Sequence, residues 1–311
     1  MKTIVVDGRG EGDFRTVQEA VLAAPANARE RTVIYIRKGL YEEKVVVPAD
    51  RRGISLIGES RERTVIVQSD YANKIGPDGH KIGNDNSATV FVHADDFHAE
   101  RLTFSNQAGL YKGQALALAV GGDRAVFRDV CIRGNQDTLY TPGTGRQYYA
   151  DCFIEGTVDF IFGSATAVFE RCELHSIRRH NGYVTAASTT ESQAYGYVFL
   201  NCRLTGAAPE HTVCLGRPWK PYAKVAFIDS WMDRHIHPEG WNNWRDPERE
   251  KTATFVEWGS TGPGANPESR VAWAKRPEPI DGAAWKAAAL SGGDGWNPEA
   301  VTAPEWKAEG R

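Results

Sequence analysis

Five polar residues stand out in this 311-residue chain because of what surrounds them. Asp137 lies in Gly134-Asn-Gln-Asp-Thr-Leu-Tyr140, and Asp159 lies 22 residues further on, in Gly156-Thr-Val-Asp-Phe-Ile-Phe-Gly163. A carboxylate is costly to bury unless it is paired or hydrogen-bonded, so an aspartate in such apolar company implies a partner or a task. Gln136 precedes the first aspartate, Gln114 lies in Gly113-Gln-Ala-Leu-Ala-Leu, and Arg217 lies in Leu215-Gly-Arg-Pro-Trp219. Two carboxylates brought close split their pKa values. The one nearer a cation stays ionised, and the other holds its proton. Arg217 offers that cation through a rigid guanidinium fork, so one site would hold a nucleophile and an acid. The two glutamine amides can donate N–H to an oxyanion without altering the charge balance. Tyr140, Phe162 and Trp219 flank the set and suit sugar rings, although core packing uses aromatics equally well. For any one of these residues, a polar ladder tying the fold together is as good an explanation. For all five together a site is favoured.

Other chemistries fade. Asp7-Gly-Arg-Gly-Glu-Gly12 matches neither phosphate-loop pattern and reads as a tight turn. The eight histidines show no metal-ligand spacing, and His235 and His237 are expected at the surface. No GxSxG elbow is present. Cys131, Cys152, Cys172, Cys202 and Cys214 lack CxxC spacing and read as small core residues. No metal is expected. A net charge of −3 argues against nucleic acid as a partner, and the lack of a long apolar run argues against a membrane span. The opening Met1-Lys-Thr-Ile-Val-Val enters a strand at once, so the chain as written is expected to be cytoplasmic, or secreted if a leader has been removed.

The elements that must position the five residues announce themselves as a repeat. Tyr149-Ala-Asp-Cys152-Phe-Ile154, Phe169-Glu-Arg-Cys172-Glu-Leu174 and Phe199-Leu-Asn-Cys202-Arg-Leu204 align, as do the segments from Phe127 to Ile132 and from Phe227 to Met232. Successive aromatics are 22, 20, 30 and 28 residues apart. Short strands at such intervals, β-branched and aromatic rather than leucine-patterned, predict an all-β parallel β-helix, a solenoid forming one domain over residues 1–311. Thr16 to Ala24 reads as a helix capping the N-terminal end, and the alanine-rich tail after Ile280 as a segment packed along the outside. With coils about 4.8 Å apart, Asp137 stacked on Asp159 would bring the carboxylates within roughly 5 Å.

At this level of detail the chain resembles the pectin methylesterases, bacterial-type members in particular. The resemblance rests on GNQDTLY, GTVDFIFG and LGRPW in that order. It is extended by Phe14-Arg-Thr-Val-Gln-Glu-Ala20, YIRKGLYEEKV, SATV, AGLYKGQALAL, HPEGWNNW and GPGANPESRVAW, and covers roughly residues 3–300. It implies a right-handed single-stranded parallel β-helix and cofactor-free hydrolysis of galacturonate methyl esters, releasing methanol from pectin (methyl-esterified homogalacturonan) or oligogalacturonides; the chain is expected to be a monomer. Asp159 would be the nucleophile, Asp137 the acid and then the base, Gln114 and Gln136 the oxyanion donors, and Arg217 the residue orienting Asp159. Tyr140, Phe162 and Trp219 would contact sugar. Asn84 stands where many members carry a substrate-contacting threonine, and is expected to reach the sugar through its amide. The rival readings are a polygalacturonate glycoside hydrolase or lyase on the same fold, and a pectin-binding solenoid without catalysis.

Overall fold

The computed structural model describes residues 2–277 and 279–304. The chain winds as a parallel β-helix whose coils build three sheets, of ten, eight and seven strands, each strand pairing in parallel with its counterpart on the next coil. The aligned repeat is the register of the ten-stranded sheet, where Phe127, Tyr149, Phe169, Phe199 and Phe227 are successive pairing partners. Their rings stack inside the coil with centroids 4.7, 4.6, 4.6 and 4.4 Å apart. The strand spacing dictates this ladder, since identical positions recur about every 4.8 Å. All five rings are fully buried.

The polar residues after each aromatic make the corner. Arg101, Asp129, Asp151, Arg171, Asn201 and Asp229 take left-handed backbone, with φ between 49° and 56°, where the chain turns from the ten-stranded to the eight-stranded sheet. Asp and Asn tolerate that conformation best. The small residue that follows then points inward, so Cys152, Cys172 and Cys202 are buried, free thiols. Cys131 is also buried and Cys214 partly so.

Helix α1 (Val17–Ala23) closes the N-terminal end with Val17, Ala20 and Val21 buried. It starts on an N-cap in which the Thr16 hydroxyl accepts the Glu19 N–H at 3.2 Å and donates to the Glu19 carboxylate at 2.8 Å. The Glu43 carboxylate accepts two further N–H groups of its first turn, from Val17 and Gln18. Near the other end, α2 (Glu248–Thr252) is a short surface helix. The tail forms α3 (Gly282–Leu290), whose Ala289 and Leu290 pack with Val168, Val198 and Ile228 on the outer face of the ten-stranded sheet. Both terminal expectations hold.

His235 is a correction. It is 1% exposed rather than at the surface, because the segment after Met232 folds back to pair with the strand at Val213. Burial lowers its pKa to about 4, so the imidazole is neutral. His237 is half-exposed and accepts the Glu239 N–H at 3.2 Å. Among the described residues no helix is long and apolar enough to cross a membrane.

Candidate active site

Asp137 and Asp159 occupy the same position on consecutive coils, at the corner where the chain passes from the eight-stranded to the seven-stranded sheet. Two residues beyond them, Leu139 pairs with Ile161 and then Tyr140 with Phe162. The backbone ties the coils together here, for the Asp137 N–H donates to the Val158 carbonyl at 3.0 Å. Both aspartates are left-handed, with φ of 66° and 51°. The tight approach needs the motif glycines as well: a Cβ on Gly156 would lie 2.2 Å from the Phe160 Cβ. Sequence thus sets a kinked corner that aims two carboxylates the same way.

The environments of the pair differ. Arg217 donates from Nε to Asp159 Oδ1 at 2.8 Å and from Nη2 to Oδ2 at 2.6 Å, a bidentate fork. Asp137 receives instead a neutral amide, Asn84 Nδ2 donating to its Oδ2 at 2.9 Å. Exposures of 5% for Asp137 and 7% for Asp159 mean that desolvation raises both pKa values. Arg217 opposes the rise at Asp159. Asp137 also faces the charge of Asp159, and its pKa is pushed up to about 8. One carboxylate is held ionised by a salt bridge, and the other retains a proton near neutrality.

The remaining expected residues gather around this pair. Gln114 and Gln136 form a parallel bridge on neighbouring coils. Gln114 is exposed, while Gln136 is half-buried and hydrogen-bonds Asp137. On the outer face of the seven-stranded sheet Phe91, Ala119, Tyr140, Phe162 and Ala186 form one row in register. Tyr140 stacks on Phe162 at 4.5 Å, and Trp219 meets Phe162 edge-on at 5.8 Å. Phe162 is only 4% exposed, so it supports Tyr140 and Trp219 more than it offers a face of its own. Asn84 donates to Asp137, a contact additional to the one expected for it, and its Oδ1 is buried with no protein partner.

Three residues here escaped the sequence reading. Tyr183 and Trp244 sandwich the Arg217 guanidinium, with ring centroids 3.9 and 3.8 Å from Cζ. Arg249 of α2 donates to the carbonyls of Pro218 and Trp219, the latter at 2.9 Å. The only signal was the density of tryptophan and asparagine in His237-Pro-Glu-Gly-Trp-Asn-Asn-Trp244.

Comparison with known proteins identifies the family and the fold. The family model "Pectinesterase" matches residues 3–284. Pectinesterase 31 of Arabidopsis thaliana is 39% identical over 281 residues, covering 88% of this chain and 87% of its own. Putative pectinesterase 11 of the same plant is 38% identical, covering 94% and 80%. Among solved structures, the pectin methylesterase from carrot superposes with a TM-score of 0.83 at 35% identity, over 94% of this chain and 97% of its own. A pectin methylesterase solved in complex with a hexasaccharide gives 0.84 at 32% identity, over 98% and 99%. The chain belongs to the pectinesterase family.

Proposed function

We propose that this pectinesterase removes methyl esters from the galacturonate units of pectin with Asp159 as nucleophile and Asp137 as proton carrier. The carrying observation is the asymmetry of the pair: Asp159 lies in the Arg217 fork, whereas Asp137 is held by the Asn84 amide and keeps its proton. The ionised Asp159 attacks the ester carbonyl carbon. Negative charge moves to the carbonyl oxygen, where the amides of Gln114 and Gln136 donate. As the tetrahedral intermediate collapses, the bond to the methoxy oxygen breaks, and that oxygen takes the proton of Asp137 to leave as methanol. The resulting acyl-enzyme joins the sugar carboxyl to Asp159. Asp137, now a carboxylate, takes a proton from water, and the hydroxide so formed releases the galacturonate and restores both aspartates.

Tyr140 and Trp219 are the sugar platforms in this reading, with Phe162 as their support. Asn84 acts through Asp137, and its buried Oδ1 is free to accept from the substrate or from water. The chain acts as a monomer on methyl-esterified homogalacturonan or its oligomers. The test is product chemistry. Methanol release from methylated pectin without chain shortening, abolished by Asp159→Ala while oligogalacturonide binding persists, supports the proposal. New reducing ends or unsaturated products would transfer the site to glycosidic cleavage, and binding without methanol release would make the solenoid a lectin-like module.

A further inference from the structure

Arg217 is gripped on its flat faces as well as at its donor edge. Tyr183 occupies the position of Asp159 on the following coil, since Ile161 pairs with Thr185 two residues on. Its ring lies under the guanidinium at 3.9 Å, and Trp244 covers the opposite face at 3.8 Å. A planar cation between two rings cannot rotate out of its plane, and the rings shut water away from its faces. The only direction left for its fork is toward Asp159.

Trp244 is held there against its own preference. Its φ is 61° and that of Arg245 is 58°, left-handed backbone that is a genuine outlier for a bulky residue. Two adjacent turns enforce it: Asn242 Oδ1 accepts the Trp244 N–H at 2.8 Å, and Asn243 Oδ1 accepts the Arg245 N–H at 2.9 Å. Asn243 is itself fixed through Nδ2 to Glu250 Oε1 at 2.8 Å. Behind Trp244, Arg249 lies 5.8 Å from the ring and pairs with Asp246 at 3.0 Å while anchoring the Pro218 and Trp219 carbonyls. Such a strained, cross-braced loop end is expected only where its side chain has to stay in one place.

We infer that Trp244, with Tyr183, is a positioning residue for the reaction: the two rings lock Arg217 in the geometry that keeps the nucleophile ionised. The inference rests on the esterase reading of Asp159. It also links sugar binding to nucleophile geometry, because the one loop braces Trp244 and the backbone of Trp219 together.

The titratable groups around Asp159 are Asp137 on the preceding coil, Tyr183 on the following one, and Arg217. Cys214 also feels Arg217, and Arg249, Asp246 and Glu250 lie behind Trp244. Only Arg217 draws the Asp159 pKa down. Loosening it therefore raises that pKa, so the nucleophile protonates at higher pH. The experiment is the pH profile of kcat/KM for methanol release from methylated pectin by the unmutated protein, Trp244→Ala and Trp244→Phe, with thermal melts to confirm folding. In Trp244→Ala the acid limb should move up by about one pH unit, with kcat roughly tenfold lower. Trp244→Phe, which keeps a ring face, should restore the limb. An unchanged acid limb with the loss confined to KM would overturn the inference and make Trp244 a sugar platform. Equal impairment of both variants at every pH would also overturn it. If Trp244→Ala does not fold, Tyr183→Leu against Tyr183→Phe reads the other ring by the same criteria. Failure of the unmutated protein to release methanol would instead sink the esterase reading, so the two failures are distinguishable.

Discussion

Asn84 donates its side-chain amide to the Asp137 carboxylate at 2.9 Å, a contact that closes 53 residues of chain. A donor to a carboxylate favours the ionised form, so Asn84 restrains a pKa that burial and Asp159 have pushed up to about 8. The bond takes Asp137 Oδ2, and Gln136 hydrogen-bonds the same carboxylate.

Removing that donor should raise the Asp137 pKa further. Activity that depends on protonated Asp137 is lost as pH rises through its pKa, so the basic limb of kcat/KM in Asn84→Ala should move to higher pH. At neutral pH kcat should fall roughly tenfold, because Asp137 serves less well as the base of the second step. A pH–rate profile checks both. A basic limb that stays in place would remove Asn84 from the proton-transfer machinery.

Asp137 should also cost stability. Its folded pKa lies above its ordinary value of 3.8, so its contribution is fully favourable below about pH 4 and is lost as pH rises toward 8. Asp137→Asn keeps the shape and removes the titration. Its melting temperature should exceed that of the unmutated protein by an amount that grows from pH 4 to pH 8 and then levels off, corresponding to roughly 2–5 kcal/mol. Differential scanning calorimetry across that range is the measurement. A pH-independent difference would mean that the pair is not coupled as described.

The Arg217 fork invites a comparison of charge with geometry. Arg217→Ala leaves Asp159 buried without a counter-ion, and methanol release should drop by about 100-fold or more. Arg217→Lys restores a point charge without the fork or the flat faces that Tyr183 and Trp244 hold, so it should recover only part of the loss. Undiminished turnover in Arg217→Ala would end its orienting role.

The aromatic ladder should carry much of the solenoid's cohesion. Phe169 stacks 4.6 Å from both Tyr149 and Phe199 and is fully buried. Phe169→Ala should destabilise the protein by about 3–5 kcal/mol, read by denaturant unfolding, and Phe169→Leu by clearly less. Equal losses would indicate that ring stacking matters and that buried volume alone does not.

The solenoid and the juxtaposition of two carboxylates were legible in the sequence because both are expressed as spacing. An aromatic repeated with Asp, Asn or Arg two places on encodes stacking and a left-handed corner at once, and a coil of 22 residues brings Asp137 and Asp159 into register. Arg217 could be identified because a buried carboxylate needs a cation and LGRPW offered one beside an aromatic. The bond from Asn84 to Asp137 needed the fold, because nothing in its local sequence names Asp137 as its partner. His235 was misplaced for a similar reason: a histidine between polar neighbours looks exposed until the chain folds back over it. Tyr183 and Trp244 passed unnoticed because aromatics are common here and only two of them flank this guanidinium.

By itself, then, the sequence determined which coils stack and that two carboxylates with one arginine face the same way, because a parallel solenoid converts residue spacing directly into distance. Only the tertiary structure decided which partner each carboxylate receives and how rigidly it is held. Those contacts come from segments between the coil strands, such as the helical turn Asn84–Asn86 and the loop 241–247 that leads into α2. Loops carry no repeat, so their reach depends on folded backbone rather than on counting residues.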